Sequence, residues 1–283
     1  MILFYFPLIL VSILGYGFFA SKKIIGLRTS NLGFLGIVGI FFLLLISYIS
    51  TQLIAHSIQF NSIVILIGLI FFLIYARDFY KEKSFKLLFI ILFLSLIFIF
   101  VGKNHDDFHY YHFPYILILT EYPHPLGLGN LNHGFKTHSS IFLLSSLFSL
   151  PGAKYSLFNL APAYIFIFSN FIILKLIFDK NIQKKYHFIT LLSLSSFVFI
   201  NIFFYRLGEH GTDRSAMILI ILFVIYLLLF INNSEKKIDL ILKRDSSVIF
   251  LPHLNISDEV LKRLNERTKD ARIEVEINKP TVE

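Results

Sequence analysis

The chain has 283 residues, 56% of them hydrophobic, a mean hydropathy of +0.73 and a formal net charge of +8. That hydropathy, carried by repeated apolar runs of about 20 residues, excludes an ordinary soluble domain and points to a helical membrane protein. There is no cysteine, so disulfides, thiolate chemistry and cysteine-ligated metals are excluded. The basic residues lie mainly in short loops beside the apolar runs and in the tail, so the charge reads as membrane topology and no nucleic-acid partner is expected. The absence of Trp beside 34 Phe reads as base-composition bias.

In chain order, seven spans are expected at roughly 2–20, 32–52, 62–76, 87–102, 157–178, 188–205 and 215–232. They are continuous runs of Ile, Leu and Phe without the alternation of barrel strands, so the fold class is an all-α polytopic membrane protein. No Lys or Arg precedes the first run, whereas Lys22, Lys23 and Arg28 follow it. This order favours an uncleaved first helix with its N-terminus outside. Loop 77–86 carries Arg77, Lys81, Lys83 and Lys86, and loop 179–187 carries Lys180, Lys184 and Lys185, so both are expected inside. Loop 53–61 has no Lys or Arg and is expected outside.

The long loop 103–138 then falls on the outer face, as does the short loop 206–214. Segment 139–150 is apolar but too short to span, and is expected to lie in the interface or to re-enter. Residues 109–122 are expected to form an interfacial helix with its aromatic residues at headgroup level. The transmembrane domain is set at 1–232, with its outer loop at 103–156, and a cytoplasmic tail at 233–283. In the tail, 248–252 and 272–277 read as strands, and Ser257 as the cap of a helix between them, a short α/β unit.

The chemistry concentrates outside. Loop 103–138 holds six of the ten histidines, the acid pair Asp106 and Asp107, and a glycine-spaced turn. Ionisable groups kept at a membrane boundary are functional candidates by default. A carboxylate at the mouth of a helix bundle suits a general base or a metal ligand, and equally suits a solvated boundary acid. His105, His109 and His112 are spaced to form one stripe on an α-helix. Two of them with an Asp, such as Asp107 and His109, could hold a divalent cation (Mg or Mn); the alternative is interfacial histidines satisfied by water or lipid phosphate. Gly127, Gly129 and Gly134 permit close backbone approach, either to a ligand or within a compact loop. Gly127-Leu-Gly129 does not extend to GxGxxG, which rejects a dinucleotide fold. Loop 206–214 offers Arg206, Glu209, His210, Asp213 and Arg214, which could hold a phosphate at headgroup level or pair with one another.

Asp107, then Tyr111-His112, then Gly127-Leu-Gly129-Asn130-Leu131, then Ser139-Ser140, resemble a pattern in large bacterial membrane proteins similar to the GT-C superfamily of integral-membrane glycosyltransferases. The resemblance covers about 105–140, with Thr212-Asp213 matching an acid before a later span. It implies a transferase that takes a sugar from a polyprenyl-phosphate carrier on the outer face of the bacterial cytoplasmic (inner) membrane and passes it to a glycan or lipid acceptor. Asp107 is the implied catalytic base, with Asp106 its neighbour. Tyr111, His112, Asn130, His133, Lys136, Arg206, Glu209, Asp213 and Arg214 are the implied substrate-binding residues. The chain departs from the pattern where Asn132-His133 replaces a His-Gly step. The members with this pattern are longer, so the resemblance also implies a truncated chain. Three rivals stay open: a lipid or solute transporter, a polysaccharide polymerase or ligase using the same carriers, and a non-catalytic scaffold.

Overall fold

The computed structural model describes residues 1–26, 31–75, 84–100, 106–136, 139–153, 155–204 and 212–234. The chain divides into a unit of Met1–Lys237 and a unit of Ile238–Glu283. All described residues belong to the first, and the strands expected in the tail lie outside them.

Among the described residues every regular element is a helix. They are α1 (Ile2–Phe19), α2 (Leu32–Thr51), α3 (Ile58–Tyr75), α4 (Ser84–Phe100), α5 (Phe113–Glu121), α6 (Ser140–Ser146), α7 (Leu160–Phe178), α8 (Lys180–Lys185), α9 (His187–Phe203) and α10 (Thr212–Ser234). Five helical stretches are long and apolar enough to cross a membrane: Ile2–Ile25, Leu32–Thr51, Ile58–Tyr75, Tyr155–Phe178 and Asp213–Asn232. Two shorter apolar helices, Phe85–Phe100 and His187–Phe203, accompany them. The chain is thus a multi-pass helical protein suited to a bilayer.

Local chemistry sets the ends. Asn31 caps α2, its Oδ1 accepting from the N–H groups of Gly33 and Phe34 at 3.0 and 3.2 Å. α1 runs on through a π-helical stretch, Ala20–Ile25, and stops at Gly26, where φ is +72°. α3 begins at Ile58, one turn earlier than expected, so Asn61 lies inside the helix. The reason is polar satisfaction: the Asn61 Nδ2 faces the carbonyls of His56 (2.8 Å), Ser146 (2.8 Å) and Ser149 (3.1 Å). α10 likewise begins at Thr212, which moves Asp213 and Arg214 out of the expected loop and into a first helical turn. A carboxylate there complements the helix N-terminus.

Lipid tails are as apolar as leucine, so helices in a bilayer gain little by burying hydrocarbon against each other; close packing and interhelical polar bonds hold them. The α1–α2–α3 corner follows that rule. A Cβ on Gly15 would run into the Gly68 carbonyl of α3, one on Gly17 into the Leu35 carbonyl of α2, and one on Gly39 into the Ile13 carbonyl of α1. The Tyr16 hydroxyl donates to the Val64 carbonyl at 2.7 Å, and the Ser12 hydroxyl to that of Ile65 at 3.0 Å. α7 is the central helix, buried on nearly every side and packed against α2, α4, α9 and α10. Its Phe168 fills the space left by Gly36 of α2.

α6 is seven residues long, about 10 Å at 1.5 Å per residue, and does not span. It lies inside the protein, touching α2, α5 and α7, and every residue from 141 to 150 is buried. The segment is thus packed within the protein and not laid on its surface.

Candidate functional site

One end of the bundle carries a second layer. Residues 106–136 form a π-helical turn (Phe108–His112), α5, and two 3-10 turns (Leu128–Asn130 and His133–Lys136). They enclose their own core of Tyr115, Ile116, Leu119 and Leu128 against Phe142, Leu143 and Phe158. Two backbone bonds stitch the layer to the α2–α3 turn: His56 N–H to the Leu119 carbonyl at 2.8 Å, and His124 N–H to that of Thr51 at 2.6 Å. The Tyr5 hydroxyl donates to the Pro151 carbonyl at 2.8 Å. The start of α1, the α2–α3 turn and the 106–136 layer therefore share the bundle end that the charge pattern assigned to them jointly.

Within the layer, Asp106 is exposed and Asp107 half-buried at the mouth of the π-turn. The Asp107 carbonyl accepts from the N–H groups of Tyr111 (3.0 Å) and His112 (3.3 Å). That wider winding changes the fate of the histidine stripe. His109 is exposed, whereas His112 is buried against the rings of Tyr111 (4.3 Å between centroids) and Phe142 (4.9 Å). The two do not share a face, and His105 lies outside the described residues. Among the described residues no group of three or more His, Asp or Glu side chains is placed to hold a metal. Asp107 and His109 together supply two ligands, fewer than such a group needs.

The glycine-spaced segment braces this turn. The Asn132 side chain donates from Nδ2 to the Tyr110 carbonyl at 3.1 Å and accepts the Gly134 N–H at Oδ1, 2.9 Å. Gly134 lies flat on Tyr111: a Cβ there would sit 2.6 Å from the ring. Gly129 lies under the Lys136 stem, and Gly127 has φ +82°. Asn130, His133 and Lys136 are exposed on the two 3-10 turns. The position where the sequence departs from the resembled pattern, Asn132, is thus the one that ties the loop to Tyr110.

Tyr111 is where distant parts of the sequence converge. Partial burial pushes its hydroxyl upward from its ordinary titration, and the carboxylates of Asp107 and Asp213 push it further. Asp213 belongs to the first turn of α10, so the two expected acids act on one phenol. Arg214 follows Asp213 on that turn. Arg206, Glu209 and His210 lie outside the described residues.

Sequence reasoning missed His56. It is wholly buried, with Nδ1 2.7 Å from the Ser146 hydroxyl and Nε2 2.8 Å from that of Ser50. Both hydroxyls also donate to backbone, Ser146 to the Leu143 carbonyl at 2.8 Å and Ser50 to the Ser47 carbonyl at 3.2 Å. Burial pushes the imidazole pKa down to about 4, which favours the neutral ring. Nearby, the Tyr115 hydroxyl meets His124 Nε2 at 2.9 Å and is pushed up to about 12, first by burial and then by the neighbouring Tyr48. The available signal was a lone histidine in the six-residue break between two apolar helices.

The chain belongs to the DUF8201 family, described as a domain of unknown function, whose match covers residues 1–254. No curated protein and no solved structure matches it.

Proposed function

We propose that this DUF8201 member is a membrane-embedded glycosyltransferase that uses a polyprenyl-phosphate-linked sugar at the bundle end carrying Asp107. The observation that carries the reading is that the charges of Asp107 and Asp213, 106 residues apart in sequence, both reach Tyr111. Two carboxylates near one phenol suit the binding of a polyol and removal of a proton from one of its hydroxyls. In this reading Asp107 takes the acceptor proton. The acceptor oxygen forms its bond to the sugar's anomeric carbon as the bond from that carbon to the carrier phosphate oxygen breaks. Asp213 and Tyr111 orient the acceptor. Arg206, Arg214 or Lys136 neutralises the departing polyprenyl phosphate. The membrane is the bacterial cytoplasmic membrane, with this end and the N-terminus outside.

The resemblance over 105–140 supports the donor class. The concentration of acids, histidines and glycine turns in the 106–136 layer supports an interfacial enzyme over a transporter, whose polar sites lie near the midplane. The test is sugar transfer in membranes from a panel of polyprenyl-phosphate sugars, comparing the parent with Asp107→Asn. Loss of transfer at unchanged expression is expected. Undiminished transfer would remove Asp107 from the mechanism. A reporter fused after Lys136 is expected to read external, and a cytoplasmic reading would overturn the orientation.

A further inference from the structure

The layer presents an apolar rim that the transfer reading does not use. Along α2 the exposed large side chains recur one turn apart, at Phe41, Leu45 and Ile49, which marks one continuous face of a membrane-crossing helix. In the turn that follows, Leu53 is 74% exposed and extends the same row. The bond from His124 N–H to the Thr51 carbonyl fixes the end of the interfacial layer against that turn. On either side of His124, Tyr122 is 58% exposed and Leu126 96% exposed. Leu126 precedes Gly127, whose left-handed backbone (φ +82°) turns the chain so that Leu128 enters the layer's core while Leu126 stays outside.

We infer that Leu53, Tyr122 and Leu126 form a rim embedded in the headgroup layer of the bilayer, continuous with the lipid-facing side of α2. The occupant is lipid because the row leading to the rim already faces lipid. A tyrosine between two leucines also has the amphipathic make-up of a membrane-interface belt, with its hydroxyl at headgroup level and its ring below. The rim would anchor the interfacial layer to the membrane surface independently of the reaction the protein performs.

The chain contains no tryptophan, so a single introduced tryptophan reports one position alone. The full chain carrying Leu126→Trp, and separately Leu53→Trp, would be reconstituted into phosphatidylcholine–phosphatidylglycerol vesicles. In a parallel set of vesicles the lipids are brominated near the top of one acyl chain. Both side chains are exposed, so neither change removes core packing. Emission from both is expected to fall about twofold in the brominated vesicles, with little quenching by aqueous iodide. Iodide quenching of Leu126→Trp without lipid quenching would overturn the proposal. Shielding from both quenchers would overturn it too, and would indicate a protein surface over the rim. Lipid quenching at Leu53→Trp alone would end the lipid-facing row at α2 and equally remove Leu126 from it.

Discussion

The α1–α2–α3 corner and the 106–136 layer are joined at Thr51 and His56, yet they are built on opposite principles. In the corner, glycine lets backbone meet backbone, and a few hydroxyls donate to carbonyls of the next helix. In the layer, aromatic rings fill the core, and side-chain amides and imidazoles make the joins. The difference follows the solvent. Inside a bilayer, shape is the main source of specificity because hydrocarbon gains nothing by changing partner. At its edge water competes for polar groups, so specificity rests on directed hydrogen bonds around a packed aromatic core.

The largest break is expected in the corner. Gly15→Leu forces a side chain into the Gly68 carbonyl, and overpacking of a rigid contact costs about 3 kcal/mol or more. Thermal unfolding in detergent should show the loss, and parent-like melting would mean that α1 and α3 do not meet there. Next comes His56→Ala, which removes the imidazole bonds to the Ser50 and Ser146 hydroxyls and leaves a cavity in a buried position, expected to cost about 2–3 kcal/mol.

The His56 arrangement also predicts a pH dependence. Its folded pKa of about 4 lies below the ordinary 6.5, so between those values the unfolded chain binds the extra proton. The neutral ring's contribution is complete above pH 6.5 and is lost as the pH falls towards 4, about 3 kcal/mol in all at 1.36 kcal/mol per unit. Unfolding midpoints measured across that window should fall in the parent and fall less in His56→Gln. Equal slopes would sink the buried-neutral assignment.

A smaller effect is expected at Gly134→Ala. Its new methyl meets the Tyr111 ring at 2.6 Å, so Tyr111 must shift. A cost of about 1–2 kcal/mol is expected, with sugar transfer falling about tenfold or more. Transfer at the parental rate would show that the position of Tyr111 is unimportant. The finest probe is the Tyr111 hydroxyl itself. Asp213→Asn removes one of the two negative neighbours, so the phenol should titrate at lower pH, read by nuclear magnetic resonance of a labelled Tyr111 ring. No downward change would place Asp213 out of reach.

Five of the seven expected spans were legible because each is a long run of Ile, Leu and Phe, a pattern that tolerates local error; the other two correspond to shorter apolar helices. The ends of the spans were less so. The polar side chain of Asn61 read as loop, although its Nδ2 finds carbonyls of His56, Ser146 and Ser149 from a position within α3. The shared face of loops 53–61 and 103–138 could be read from basic residues alone. Local winding could not. A stripe drawn on an α-helical wheel placed His109 and His112 together, and the π-turn separates them. The candidate acids stood out as ionisable groups beside apolar spans, but their shared effect on one tyrosine depends on where α10 begins. His56 stayed hidden because its partners lie in segments that the sequence does not connect to it.

That last separation has a consequence in time. His56 and Ser146 are 90 residues apart. At a synthesis rate of about 5–20 residues per second, the histidine is made roughly 5–18 seconds before its serine partner. Throughout that interval the α2–α3 hairpin exists without α6 behind it, and the imidazole remains an ordinary, protonatable surface group. The clasp can close only after Ser146 has been made.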